Sequence, residues 1–211
     1  MTMPVTRRAV LGTALAAASL AAFPRLAFAA PAIGLAAPDF DLPDQDGAVR
    51  RLSGYRGKVV VLEWTNHDCP YVRKHYNSAN MQALQRDAAD RGVVWLSIAS
   101  SPEGEQGHVT GPQAKQLTAS RNAAPAAVLL DHNSKAARLY RATATPQMFV
   151  IDASGVLRYM GGIDSIRSSR VDDVAKAEAY LRNAMHAVAE GRAPEKAVTQ
   201  PYGCFIKYVG V

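Results

Sequence analysis

The apolar run Val59-Val60-Val61-Leu62-Glu63-Trp64, separated by four residues from Cys69-Pro70, constrains the fold more than any other feature of this chain. A short continuous run of this kind suits a strand buried on both faces of a sheet. Proline is favoured at the first helical position, where its missing N–H had no partner anyway. Pro70 therefore marks the start of a helix expected to run to about Asp90, and Cys69 falls at its N-cap. The N-terminus of a helix carries partial positive charge, and the thiolate is the nucleophilic form of cysteine, so Cys69 is placed for reactivity. His67 just before it, with Arg73 and Lys74 one turn after, are candidates for added positive potential.

The rest of the chain alternates in the same way. Val93–Ala99 reads as a second buried strand, and Ser101–Pro112, with three Gly and two Pro, as a polar loop long enough to lie over a site. A helix over Gln113–Arg121, a strand over Ala126–Asp131 and a short helix over Ser134–Tyr140 follow. Thr145-Pro146 stands at the start of a strand, where proline is tolerated. Gln147–Asp152 and Val156–Met160 flank the turn Ala153-Ser154-Gly155 and predict an antiparallel hairpin. Val174, Ala177, Leu181, Ala184, Met185 and Val188 fall at helical spacing between Asp172-Asp173 and Gly191. Near the start, Phe40-Asp41-Leu42 and the turn Asp44–Gly47 predict a short hairpin at the edge of the fold. Trp64 is expected to pack beneath the cysteine loop, with Tyr76 and Met81 on the buried face of the first helix. This order gives an α/β fold with a central mixed sheet flanked by helices.

Charge and cysteine usage bound the function. The excess of six bases looks like a nucleic-acid signal until Arg7, Arg8 and Arg25 are set aside, since residues 1–29 hold no acid and account for half of it. The remainder has no arginine cluster interleaved with aromatics, so nucleic acid is not an expected partner. Arg7 and Arg8 precede an apolar run, Ala9–Phe23, and Ala27-Phe28-Ala29 has the small-x-small form of a cleavage site. The run is shorter than the ~20 residues needed to span a bilayer, which favours a removed signal over a retained anchor. Thr6-Arg7-Arg8-Ala9-Val10-Leu11 resembles the twin-arginine export motif, with Val10 and Gly12 in place of its usual Phe and Lys. The mature chain is therefore expected to begin near Ala30 in a bacterial periplasm, as one domain over 30–211 ending in a tail over 192–211. Its two cysteines, Cys69 and Cys204, are too few for a disulfide scaffold. A chain of this size buries ~70% of its unfolded surface, so the core carries the fold and leaves both thiols free for chemistry.

The strand ending at Trp64, the Cys69-Pro70 helix start, the Thr145-Pro146 strand and the hairpin over Phe149–Gly155 resemble the thioredoxin fold over roughly residues 33–190. The resemblance is closest to the redoxin and peroxiredoxin-like branch, the alkyl hydroperoxide reductase and thiol-specific antioxidant superfamily. Cys69-Pro70-Tyr71-Val72-Arg73-Lys74 and the closing Pro201–Tyr208 segment are similar to a peroxiredoxin-like subgroup. The resemblance implies a thiol-dependent oxidoreductase acting on a peroxide or a protein disulfide, re-reduced by an external thiol donor. Cys69 is then the nucleophile, Thr145-Pro146 the opposing wall, and Cys204, on a tail able to swing in, the candidate resolving thiol. Two departures stand out. Val72 replaces the second cysteine of Cys-x-x-Cys, which excludes a local dithiol. Leu62 and Asn66 occupy the places of the peroxide-holding Pro and Thr, leaving Thr65 or Asn66 as replacement hydrogen-bond donors.

The alternatives are a non-catalytic binding module and a copper chaperone. In the first, Cys69 and Cys204 form a permanent disulfide; in the second, His67 or His75 joins a thiol on the metal. His108, His132 and His186 read as surface residues. Gly161-Gly162 and Gly57-Lys58 lack the spacing of a phosphate loop, so no ATP, NAD or flavin is expected.

Overall fold

The computed structural model describes residues 1, 2 and 30–210, so the export segment expected over 1–29 lies almost wholly outside the described residues. In chain order the elements are β1 (Asp41–Pro43), β2 (Val49–Arg51), β3 (Val60–Trp64), α1 (Pro70–Asn77), α2 (Asn80–Asp90), β4 (Val94–Ala99), α3 (Gly111–Ser120) and β5 (Ala127–Leu130). They continue with α4 (Lys135–Tyr140), β6 (Ala144–Thr145), β7 (Gln147–Ile151), β8 (Leu157–Gly161), α5 (Tyr180–Ala189) and β9 (Cys204–Phe205). The central sheet has the order β5-β4-β3-β7-β8, with β3, β4 and β5 parallel and β7 and β8 antiparallel to their neighbours. β1 and β2 make the expected N-terminal hairpin, closed by the Asp44 carboxylate on the N–H groups of Asp46 and Ala48.

β3 is buried throughout because both faces of the sheet are covered. Its side chains alternate, so Leu62 and Trp64 enter a layer with Phe40, Leu96, Tyr140 and Phe149, while Val61 enters the layer under α1, α2 and α5. Each fully buried apolar side chain of this size contributes about 1.5–3 kcal/mol, which makes β3 the spine of the molecule.

Three expectations need correction. The helix after Pro70 does not run unbroken to Asp90: α1 ends at Asn77, and Ala79 adopts the left-handed region at φ 59° before α2 begins. Polar side chains take the freed backbone groups, Ser78 donating to the His75 carbonyl and Gln82 to that of Tyr76. The last helix is likewise divided. Val171–Lys176 is a 3-10 turn, held by Asp173 accepting from Ser168 at 2.6 Å and Arg170 at 3.0 Å, and the α-helix starts only at Tyr180. Trp64 is wholly buried but lies in the opposite layer from Cys69, against Tyr140 and Phe149; the tryptophan sharing the layer of Cys69 is Trp95.

Candidate functional site

Cys69 is the N-cap of α1, with Pro70 at the first helical position as expected. Its side chain is fully buried. As a thiol, Cys69 Sγ donates to the Thr145 carbonyl at 3.1 Å, and the Thr145-Pro146 bond that follows is cis. The Thr145 carbonyl therefore faces the Cys69 thiol.

The cover is the chain's own tail. β9 pairs antiparallel with β6, setting Cys204 opposite Thr145 and Phe205 opposite Ala144. Gly203 makes this approach feasible: at φ +137° a Cβ there would stand 1.8 Å from the Thr145 oxygen, so no other residue fits. Downstream, the Ile206 N–H donates to the Thr143 carbonyl, and the Tyr208 hydroxyl bonds the carbonyls of Ala137 and Ala142. The tail is thus docked, its backbone paired at β9, at Ile206 and, upstream of Cys204, where the Thr199 N–H donates to the Met160 carbonyl.

The two cysteines are free thiols, Cys69 buried and Cys204 half-buried against the apolar cluster that holds Cys69. Burial first, then the hydrogen bond to Cys69 and its charge, push the Cys204 thiol up to about 12, against a smaller pull from Lys207. Cys204 therefore keeps its proton at neutral pH.

The remaining candidates fall elsewhere. Thr65 lines an apolar cavity of about 50 Å³ shared with His67, Tyr76, Leu117 and Arg121, to which Cys69 does not contribute. Asn66 is buried, accepting from the Asp68 N–H at 2.9 Å and donating to the Gln106 carbonyl at 3.4 Å. Among the described residues neither side chain hydrogen-bonds to Cys69. Arg73 is exposed and paired with Asp68, while Lys74 is buried and paired with Asp164 at 2.9 Å; neither is a free cation beside the thiol.

His75 is fully buried, with Nδ1 facing the Asn80 amide at 2.9 Å and Nε2 facing the Tyr202 hydroxyl at 3.3 Å, so both ring nitrogens are engaged within the protein. Among the described residues no group of three or more His, Cys, Asp or Glu side chains is placed to hold a metal. His108, His132 and His186 are partly exposed: the first two rings meet at an interplanar angle of 41° with centroids 4.4 Å apart, and His186 meets Asp87.

Burial lowers the His75 pKa to about 4, outweighing the attraction of Asp164. Its ordinary value is 6.5, so unfolding takes up a proton between the two. The stability His75 contributes is complete above pH 6.5 and is expected to fall by about 3 kcal/mol as the pH drops to 4. Urea midpoints across this range check it; in His75→Gln the slope should flatten, and an unchanged slope would refute the assignment.

Sequence reasoning passed over Glu63. It is fully buried on β3 and accepts hydrogen bonds from Tyr76 at 3.1 Å, Trp95 at 2.9 Å and Ser97 at 2.7 Å. A lone carboxylate inside an apolar strand was the available signal.

The profile of the AhpC/TSA family matches residues 33–160, more than half of the chain. The chain belongs to the AhpC/TSA family. Among curated proteins, this AhpC/TSA chain is similar to the thiol-disulfide oxidoreductase ResA of Geobacillus kaustophilus (strain HTA426), 28% identical over 136 residues, which is 61% of this chain and 68% of that protein. Among solved structures it is similar to an uncharacterized conserved protein from Geobacillus kaustophilus, with TM-score 0.74 and 24% identity over 85% of this chain and 94% of that one. Peroxidoxin BcpB from Mycobacterium tuberculosis matches with TM-score 0.50 and 22% identity, over 69% of this chain and 92% of that one. The fold is thioredoxin-like and the chain a redoxin, which places it among thiol-based redox proteins.

Proposed function

We propose that this chain is an exported thiol-dependent oxidoreductase whose working couple is Cys69 and Cys204, with a hydroperoxide as the oxidant. The observation that carries the reading is the pairing of β9 with β6, which sets Cys204 opposite Thr145, the residue whose carbonyl accepts from Cys69 at the N-terminus of α1. In the first step the Cys69 thiolate attacks the terminal oxygen of ROOH, the O–O bond breaks, a proton reaches the leaving alkoxide, and Cys69 becomes a sulfenic acid as ROH departs. In the second, Cys204 attacks the Cys69 sulfur, forming the disulfide and releasing water. Two equivalents of an external thiol then return the dithiol and leave as their own disulfide. Burial of Cys69 beneath β9 favours a small oxidant over a large one.

The similarity to a thiol-disulfide oxidoreductase favours a second reading with the same couple. There Cys69 attacks a substrate disulfide, expelling one thiolate, and Cys204 attacks the mixed disulfide and expels the other. Rapid mixing of the reduced protein with hydrogen peroxide, and separately with oxidised glutathione, separates the two. Trp95 fluorescence reports the reaction, since Trp95 shares the layer of Cys69. Fast loss of two thiols per chain with peroxide supports the first reading, and fast loss only with glutathione disulfide supports the second. Slow loss with both overturns the couple. Export rests on Arg7, Arg8 and the apolar run after them, and a secreted mass beginning near Ala30 would test it.

A further inference from the structure

A second polar cluster lies away from the thiols, in the core beneath α1. Lys74, 1% exposed, donates to Asp164 Oδ2 at 2.9 Å, to the Ile166 carbonyl at 3.0 Å and to the Tyr202 hydroxyl at 3.1 Å. The Tyr202 hydroxyl in turn donates to Asp164 Oδ1 and meets His75 Nε2 at 3.3 Å. Its ring packs edge-on against Tyr71, with centroids 5.8 Å apart.

Burying an ion pair is weak grounds for stability, because desolvating both charges costs as much as their attraction returns. Geometry is the more informative feature. Lys74 and His75 belong to α1, the helix whose N-cap is Cys69, and Tyr202 stands two residues before Cys204. One rigid element therefore carries the first thiol at its start and the anchor of the second thiol in its last turn. Two residues of extended chain span only about 7 Å, so a displacement of Tyr202 passes directly to Cys204.

We propose that Lys74, Asp164 and Tyr202 form a latch that positions Cys204 on Cys69, setting the effective concentration of one thiol at the other. They are positioning residues: none touches the reacting sulfurs. The inference rests on the reading of Cys69 and Cys204 as the redox couple. It assigns to the cluster a role in closing the disulfide, beyond filling the core.

The test is equilibration of the full chain with reduced and oxidised glutathione, with the disulfide between Cys69 and Cys204 quantified by mass spectrometry. Tyr202→Phe keeps the ring and removes only the hydroxyl. It is expected to lower the equilibrium constant for closure about tenfold, equivalent to about 30 mV for a two-electron couple. Iodoacetamide should also reach Cys69 several-fold faster in the reduced variant, because β9 lifts. A structural role alone would weaken oxidised and reduced protein alike and leave the equilibrium unmoved. Val128→Ala, a truncation in β5 within an apolar cluster separate from that of Cys69, Tyr202 and Cys204, serves as that control and should shift stability without shifting the equilibrium. Should Tyr202→Phe fail to fold, Asp164→Asn takes its place with the same expected direction. An equilibrium constant within twofold of the parent overturns the latch. Absence of any Cys69–Cys204 disulfide in the parent chain overturns the couple instead, so the two failures are distinguishable.

Discussion

Replacing Cys69 by serine is expected to slow oxidant-dependent thiol loss by about 10³-fold or more, because a hydroxyl at this position is neither ionised nor a competent nucleophile toward oxygen or sulfur. The fold should survive, since the side chain changes by one atom and the Thr145 carbonyl can accept from a hydroxyl as it does from the thiol. Cys204→Ser separates the two roles. It should keep the first step at the parent rate, consume one thiol, and stop at a sulfenic acid that excess peroxide drives to sulfinic acid. Rapid-mixing fluorescence and intact mass measure both. Parent-like turnover in Cys69→Ser, or a normal catalytic cycle in Cys204→Ser, would dismantle the mechanism.

The second large effect is on stability. Glu63→Ala is expected to lose at least about 3 kcal/mol, because Tyr76, Trp95 and Ser97 each lose a buried acceptor and an unsatisfied buried donor costs about 1–3 kcal/mol. The release of a desolvated carboxylate offsets part of this and keeps the sum below the simple total. Glu63→Gln should cost less, about 1–3 kcal/mol, since its amide oxygen replaces some contacts while its NH2 opposes a donor. Urea unfolding followed by Trp95 fluorescence measures both variants. A loss below 1 kcal/mol for the alanine variant would mean that the three donors find other partners.

The strand, cysteine and proline series was legible because each signal is local. An apolar run, a proline at a helix start and a glycine turn impose their geometry within a few residues, and β3, the start of α1 and the hairpin of β7 and β8 stand where those signals lie. The breaks in the helices were not legible. Ser78 and Gln82 bonding the carbonyls of His75 and Tyr76, and Asp173 gathering the side chains of Ser168 and Arg170, depend on which groups meet in the folded chain, and helical spacing carries no trace of that. Trp64 and Trp95 show the same limit on the sheet. Both read as buried, but which face each takes depends on the pleat and on what covers it.

The candidate site divides along the same line. The sequence by itself determined the class of chemistry: a cysteine at a helix N-terminus in a redoxin chain, without a neighbouring thiol and with a single distant one. Only the tertiary structure decided that the distant thiol is docked. Cys204 lies 135 residues from Cys69, and their contact is set by the pairing of β9 with β6, the close approach allowed at Gly203, and the Tyr202 hydroxyl held beneath α1. Each of these is a long-range contact between segments that carry no mutual signal in the chain. Local propensity fixes where elements begin and end, whereas the meeting of remote side chains follows from burial and hydrogen-bond satisfaction over the whole fold.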